Sequence, residues 1–334
     1  MIRFVPGDFT QTGWDAMMAR FTGVSLVQSW AWGTAKAQAG LWQVERGILD
    51  EGGRVLGAVQ VMVRRLPLIG GGLAWVVRAP VCVPGEESRY DVLVAALRRY
   101  FVGERHLHLR IAPAALARET DCKAFAAAGL RPAGASGWIS AAVDLAASET
   151  DLRRGLAQKW RNGLHKAERI GLSIETTQDD QGFERFLAAY RAFLEQRGFS
   201  TSVTPDLLDR VQRLLPLHER MRAWRCSGQG EPLGDILIAR YAGRAEYLAG
   251  VLTEAGRKCN AGQLLLWRAL LAEKEAGTRS FDLGGMDPTL TPKGILAFKT
   301  GLGGTPYRLA DELEADDAGL RARLVRWRVS RARQ

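Results

Sequence analysis

The residues with the clearest chemical potential lie late in the chain, in Gly285-Met286-Asp287-Pro288-Thr289-Leu290-Thr291-Pro292-Lys293-Gly294-Ile295-Leu296-Ala297-Phe298-Lys299-Thr300-Gly301-Leu302-Gly303-Gly304. An apolar strand, Ser280-Phe281-Asp282-Leu283, leads into it. Lys299 stands among glycines and prolines, where a positive charge can be held beside a reacting carbonyl. Gly284, Gly285, Gly294, Gly301, Gly303 and Gly304 let backbone approach a ligand closely or take positive φ, so the segment reads as the wall of a site. The competing reading is a solvent-exposed lysine on a turn. Asp282, at the end of the strand, suits a backbone-capping group or a catalytic base.

The elements around this segment repeat. Gly53-Arg54-Val55-Leu56-Gly57-Ala58-Val59-Gln60-Val61 and Gly230-Glu231-Pro232-Leu233-Gly234-Asp235-Ile236-Leu237-Ile238 share the frame G-x-x-L-G-[AD]-[VI]-x-[VI], a turn opening a β-rich run. After the first come a strand over Leu73–Val77, a helix over Tyr90–Phe101 and a strand over His106–Ile111. After the second come Ala245–Leu252, Gly262–Ala276 and Ser280–Leu283 in the same order. Two α/β domains of one type follow from that repeat. In the helix over 262–276, Leu264, Trp267, Leu271 and Ala272 give one apolar face, which reads as core or, alternatively, as a ligand groove.

The boundary is expected near Ala146–Thr150, which makes residues 1–147 the first domain and 148–310 the second. Ser148 or Thr150 can cap one helix carrying Leu152, Leu156, Trp160, Leu164 and Ala167 as its stripe. Arg153, Arg154, Lys159, Arg161, His165, Lys166 and Arg169 fall in the same expected helix. A last helix has Leu320, Leu324 and Trp327 opposite Arg321, Arg323, Arg326, Arg328, Arg331 and Arg333. Such basic clusters are the usual footprint for phosphate-bearing ligands, or else a solvated face. The chain has 334 residues and a formal net charge of +10, so anionic partners suit it.

Other chemistries find no support. Four scattered cysteines and four histidines show no metal-ligand spacing and no C-x-x-C, which argues against a zinc site or a disulfide framework and fits a reducing compartment. The uncharged runs, the apolar Leu66–Val77 among them, fall short of the roughly 20 residues that span a bilayer. The start lacks a signal-peptide pattern, so the expected location is cytoplasmic, with peripheral contact to an anionic membrane left open. Nucleophile-elbow, P-loop and dinucleotide fingerprints are all missing. Arg257-Lys258-Cys259-Asn260-Ala261-Gly262 resembles the pyrophosphate loop [RQ]-x-x-G-x-[GA] of acetyl-CoA-dependent acyltransferases, with Asn260 in place of glycine. Asn tolerates the left-handed conformation, so amides at the following helix start can still bind an anion. Arg257 suits a phosphate ligand or a strand-end salt bridge.

Gln28-Ser29-Trp30-Ala31-Trp32-Gly33-Thr34-Ala35-Lys36 matches Q-S-x-x-W-G-x-x-K, and Arg64-Arg65-Leu66-Pro67 and Arg78-Ala79-Pro80-Val81 match R-x-L-P and R-G-P-[VL]. Lys159-Trp160-Arg161-Asn162 is similar to K-W-R-x-N. Phe281–Gly285 and Gly294–Gly304 are similar to F-D-[FL]-G-G and G-I-x-x-F-K-x-G-F-G-G. In their joint order from Gln28 to Gly304 the chain resembles the FemABX family of aminoacyl-tRNA-dependent peptidyltransferases, within the GNAT-like superfamily.

The resemblance implies two tandem GNAT-like domains with mixed, splayed sheets, the first on the acceptor side and completed by residues 311–334, the second on the donor side. It implies an aminoacyltransferase that moves an aminoacyl group from aminoacyl-tRNA to an amine of a peptidoglycan precursor, a UDP-MurNAc-peptide or lipid II, or of another amine-bearing peptide. No cofactor is implied, and acyl-CoA is the alternative donor. Lys36 would contact phosphates of the acceptor, with Trp32, Arg78, Arg257, Asn260 and Gly285 also in substrate contact. Trp32 alternatively packs in the core. Phe298 and Lys299 would sit at the aminoacyl end, Lys299 stabilising the oxyanion, while Lys159, Arg161, Arg326 and Arg328 would bind RNA. The run after Arg78 lacks the acidic residue that the family has near the acceptor, and Ser200–Val203 replaces a basic residue, so the acceptor itself stays open. A non-catalytic RNA- or membrane-surface adaptor is the third reading, and a lysine in a glycine-rich wall argues against it.

Overall fold

The computed structural model describes residues 1–66, 71–198, 201–317, 319 and 325. Pro67, Phe199, Ser200, the C-terminal arginines including Arg326 and Arg328, and the expected last helix with Leu320, Leu324 and Trp327 lie outside the described residues. The chain divides into one unit of Met1–Trp138 with the described residues from Arg308 onward, and a second of Ile139–Tyr307. In order, the first contains β1 (Arg3–Pro6), α1 (Gln11–Met18), α2 (Trp30–Gln38), β2 (Gln43–Glu51), β3 (Arg54–Leu66), β4 (Gly71–Val77), β5 (Val81–Cys82), α3 (Tyr90–Arg98), β6 (His108–Ala112), α4 (Cys122–Ala127) and β7 (Arg131–Pro132). The second contains β8 (Ile139–Asp144), α5 (Glu149–Gly155), α6 (Gln158–Ile170), β9 (Ser173–Thr177), α7 (Asp180–Arg197), α8 (Pro205–Leu214), β10 (Arg222–Gly228), β11 (Glu231–Tyr241), β12 (Arg244–Leu252), α9 (Glu254–Lys258), α10 (Ala261–Glu275), β13 (Ser280–Asp282), α11 (Lys293–Thr300) and β14 (Thr305–Arg308). A last strand, β15 (Leu313–Ala315), returns to the first unit.

The two sheets follow one plan. Strands run β1-β2-β3-β4-β6-β15-β7 in the first unit, with β5 beside β3, and β9-β10-β11-β12-β13-β8-β14 in the second. Each has an antiparallel meander followed by a parallel pair, β4 with β6 and β12 with β13. The glycine turns opening β3 and β11 take the positive φ such a turn requires, +90° at Gly53 and +85° at Gly230. β15 therefore occupies in the first sheet the place that β8 occupies in the second. Because β8 pairs with β13 through Ser280↔Asp144 to Asp282↔Ala142, the division falls after Trp138, ahead of the linker-like Ala146–Thr150.

In the first unit Val59, Val61 and Val63 alternate inward with Ala74, Val76, Leu109 and Ile111, and α3 covers them with Leu93, Val94 and Leu97. Each such side chain removed from water contributes about 1.5–3 kcal/mol. The motif around α2 is mostly architecture. Ser29 caps the helix by accepting from the Trp32 amide at 3.1 Å, and buried Gln28 accepts from the Ser25 amide and donates to the Val77 carbonyl. Gly33 lies on the Gln60 amide, where a Cβ would meet Oε1 at 2.3 Å. Gln60 in turn accepts from Arg46, whose guanidinium lies 3.6 Å from the Trp30 ring centre.

The second unit departs from the sequence reading in two ways. The expected single helix over 150–170 is two helices, α5 and α6, because the Ala157 amide turns to the Gly301 carbonyl at 3.0 Å and Leu156 is extended at ψ 137°. Gly303, at φ +87°, makes the opposing approach: a Cβ there would come within 2.3 Å of the Gly155 carbonyl oxygen. The glycine-bounded stretch around Lys299 is helical, as α11, so its lysine is presented from a helix and not from a loop. Ser148 does cap α5, accepting from the Asp151 amide. α10 is buried well beyond one face, at Leu264, Leu265, Leu266, Trp267, Ala269 and Leu270, while Leu271 and Ala272 border a cavity of about 440 Å³ floored by Trp224 and Ile174.

Candidate active site

The site grows from the point where the second sheet opens. β12 and β13 pair in parallel only through Arg244↔Ser280, Ala245↔Phe281 and Glu246↔Asp282, while β12 continues to Leu252 against β11 alone. Leu248 is an extra residue there, since Ile238 faces Tyr247 and Leu237 faces Ala249, and such a bulge bends the strand where pairing ends. In the first unit the equivalent parallel pair stays closed from Leu73↔His108 to Val77↔Ala112. Among the described residues only the second sheet offers an opening of this kind.

Chain leaving β13 turns sharply at this opening. Gly284 has φ +70°, and a Cβ on it would stand 2.6 Å from the Tyr247 carbonyl oxygen and 3.4 Å from Lys299 Nζ, so glycine is required for the approach. Asp282 holds the turn. Its Oδ1 accepts from Ser140 Oγ and the Gly284 amide, both at 2.8 Å, and its Oδ2 accepts from the Tyr307 hydroxyl at 2.6 Å. Ser140 Oγ also lies 2.7 Å from the Gly284 carbonyl oxygen, so its single proton is shared between that oxygen and the carboxylate. A carboxylate with three donors is a structural clasp, which decides between the two readings of Asp282 in favour of capping.

Lys299 rises from the last turn of α11 into this clasp. It is 8% exposed, its Nζ donates to the Gly285 carbonyl at 2.9 Å, and the Tyr247 ring centre lies 5.3 Å away. Burial pulls its ammonium down to about 8, against the smaller opposing pull of Asp282 and Glu246. Burial also pushes the Tyr247 phenol up. Phe298, half-buried on the neighbouring position, sets its ring 6.1 Å from Trp160 of α6. Trp160 itself fills the place left by Gly301, where a Cβ would come within 2.6 Å of its Cδ1.

The start of α10 closes on the same side chains. Asn260 takes the left-handed conformation expected for it, φ +59°, and its carbonyl accepts from the first-turn amide of Gln263 at 3.1 Å. Gly262 sits 2.8 Å, measured from a would-be Cβ, from Leu252 and 3.5 Å from Phe298. Gly163 of α6 similarly approaches the Asn260 side chain at 3.0 Å.

Residues 151–300 match the family model described as an acetyltransferase (GNAT) domain. Among solved structures, that of FemX is 15% identical with a TM-score of 0.81, covering 96% of this chain and 100% of its own. The chain has the tandem GNAT fold of FemX. The C-terminal domain of a putative lysylphosphatidylglycerol synthetase from Agrobacterium fabrum (TM-score 0.55, 17% identical, 94% and 97% covered) and a tandem GNAT protein of the clavulanic acid biosynthesis pathway (0.51, 16%, 96% and 99%) are similar over the same span. No curated protein matches the sequence. The expected kinship with FemABX proteins is met at the level of fold, and the family match falls within the second unit.

Within this unit Lys299, Phe298, Gly285 and the Asn260 turn come together. Arg257 is exposed and donates to the Leu252 carbonyl at 2.7 Å, a strand-end role through backbone in place of the salt bridge considered from sequence. Lys159 is exposed and Arg161 half-buried on α6, Arg161 donating to the Arg154 carbonyl at 3.4 Å. Lys36 and Trp32 belong to the first unit, one turn apart on α2 and both half-buried, and burial lowers the Lys36 ammonium. Arg78, at φ +46° beyond β4, stacks 4.1 Å over the Trp138 ring. Tyr247, Ser140 and Tyr307 had no signal in the sequence, because only strand register brings them to the clasp. None of the described helices is long and apolar enough to cross a membrane.

Proposed function

We propose that the protein is an N-acyltransferase that moves an aminoacyl group from aminoacyl-tRNA to an amine of a peptidoglycan precursor or a related amine-bearing peptide. The observation that carries this reading is the buried ammonium of Lys299 at the opened edge of β12, hydrogen-bonded to a backbone carbonyl. An ester of tRNA is already activated, so the protein has only to align an amine against the carbonyl and stabilise the oxyanion. A positioned cation in a dry site contributes about 3–4 kcal/mol to the second task, the scale of one oxyanion donor. Phe298, braced by Trp160, would bound the aminoacyl end. Lys159 and Arg161 on the solvent side of α6 would meet the RNA backbone, as would the arginines near the chain end. In the first unit Lys36, Trp32 and Arg78 would hold the acceptor, with Lys36 on its phosphates.

A second reading, an acyl-CoA-dependent N-acyltransferase, is favoured by one feature: the left-handed Asn260 opening α10 in an acetyl-CoA-type loop. The two readings part in one assay. The protein is incubated with a charged-tRNA pool, acetyl-CoA or longer acyl-CoAs and an amine-bearing peptide. Ribonuclease-sensitive transfer supports the first reading, and consumption of a thioester alone replaces it with the second.

A further inference from the structure

Lys299 has surroundings unsuited to a permanent cation. Among the described residues its only hydrogen-bond partner is the neutral Gly285 carbonyl, and no carboxylate lies within ion-pair distance. The charged groups that face it are Asp282 and Glu246, beside the buried phenol of Tyr247. Asp282 is diverted, both oxygens being taken by Ser140, the Gly284 amide and Tyr307. A buried lysine meant only to carry charge is ordinarily paired; one left with a carbonyl and a ring face can give up its proton.

We propose that Lys299 is the proton acceptor for the attacking amine as well as the cation that meets the oxyanion. The inference rests on the acyl-transfer reading above and adds the proton path to it. Neutral Lys299 takes a proton from the acceptor's ammonium, giving a free amine and a Lys299 ammonium. The amine nitrogen bonds to the ester carbonyl carbon, whose oxygen becomes the oxyanion beside that ammonium. As the tetrahedral species collapses, the carbon–oxygen bond to the ribose breaks, the amide nitrogen loses its extra proton to solvent, and Lys299 returns its own proton to the departing alkoxide. Ammonium and ester become amide, alcohol and one released proton. The positive charge thus forms at the moment it is needed. The lowered affinity of Lys299 for its proton, from burial, places this exchange near neutral pH.

The test uses the full-length protein, the donor found active, and single-turnover rates from pH 6 to 9.5. Wild type is expected to gain rate with pH and level off near the Lys299 titration. Lys299→Arg keeps a charge but cannot release a proton, and is expected to lose about 10²-fold or more, as Lys299→Ala does. Added alkylamines are expected to restore Lys299→Ala by at least about tenfold, increasingly with amine basicity, while guanidinium is not. Recovery with Lys299→Arg, or equal rescue by guanidinium, overturns the proton-acceptor role and leaves acyl transfer standing. Absence of transfer by wild type with every donor overturns the functional reading and this proposal together.

Discussion

Replacing Lys299 with methionine should make the protein more stable while abolishing transfer. The ordinary lysine value of 10.5 falls to about 8 in the folded protein, and each unit is worth 1.36 kcal/mol, so holding the ammonium in place costs about 3 kcal/mol. Methionine removes that cost but leaves the Gly285 carbonyl without its donor, a loss of about 1 kcal/mol. The net gain is about 2 kcal/mol at pH 7. Its pH dependence has a definite sign. Below the folded value both states hold the proton and the whole cost stands. Between about 8 and 10.5 the unfolded chain keeps the proton and the folded one does not, so wild-type stability rises with pH. The advantage of Lys299→Met should therefore shrink to about zero by pH 10. Urea unfolding of both proteins at pH 7 and pH 10, followed by amide exchange in β11 and β12, reads the difference. An advantage that is unchanged between those pH values, or absent at pH 7, would refute the claim that burial of a charge shapes this site.

Two further outcomes follow from close contacts. Gly301→Ala puts a Cβ 2.6 Å from Trp160, so the pair α6 and α11 must separate; a fall in melting temperature with a kcat loss of at least about tenfold is expected, and normal kcat in a folded variant would contradict it. Asn260→Gly should stay within about 0.5 kcal/mol of wild type because both residues accept φ +59°, whereas Asn260→Val should lose about 1–2 kcal/mol in a chemical denaturation series.

Much of the architecture was legible because it is written in local pattern. The repeated G-x-x-L-G frame marks the turn and central strand of each unit, and Ser148 and Asn260 announce helix starts by the conformations their side chains favour. Lys299 stood out through its glycine neighbours. What stayed hidden depends on contacts remote in sequence. The break between α5 and α6 comes from Gly301 and Gly303, nearly 150 residues later, and no local rule at Leu156 predicts it. Tyr247 reaches Lys299 through the register of β12 and β13, and Asp282 loses its freedom to Ser140 and Tyr307 from two other strands. Arg257, read from a loop motif, also bonds the carbonyl at the end of β12, a contact that the motif does not encode.

The placement of β15 sets an order of events during synthesis. Leu313–Ala315 lies between β6 and β7, yet a ribosome makes it only after every residue of Ile139–Tyr307 has been joined. The amino-terminal unit must wait, with two strand edges unsatisfied, while the unit encoded after it can already collapse. A chain stopped before residue 313 would carry a finished second unit and an open, adhesive first sheet, so messages truncated late should yield insoluble product.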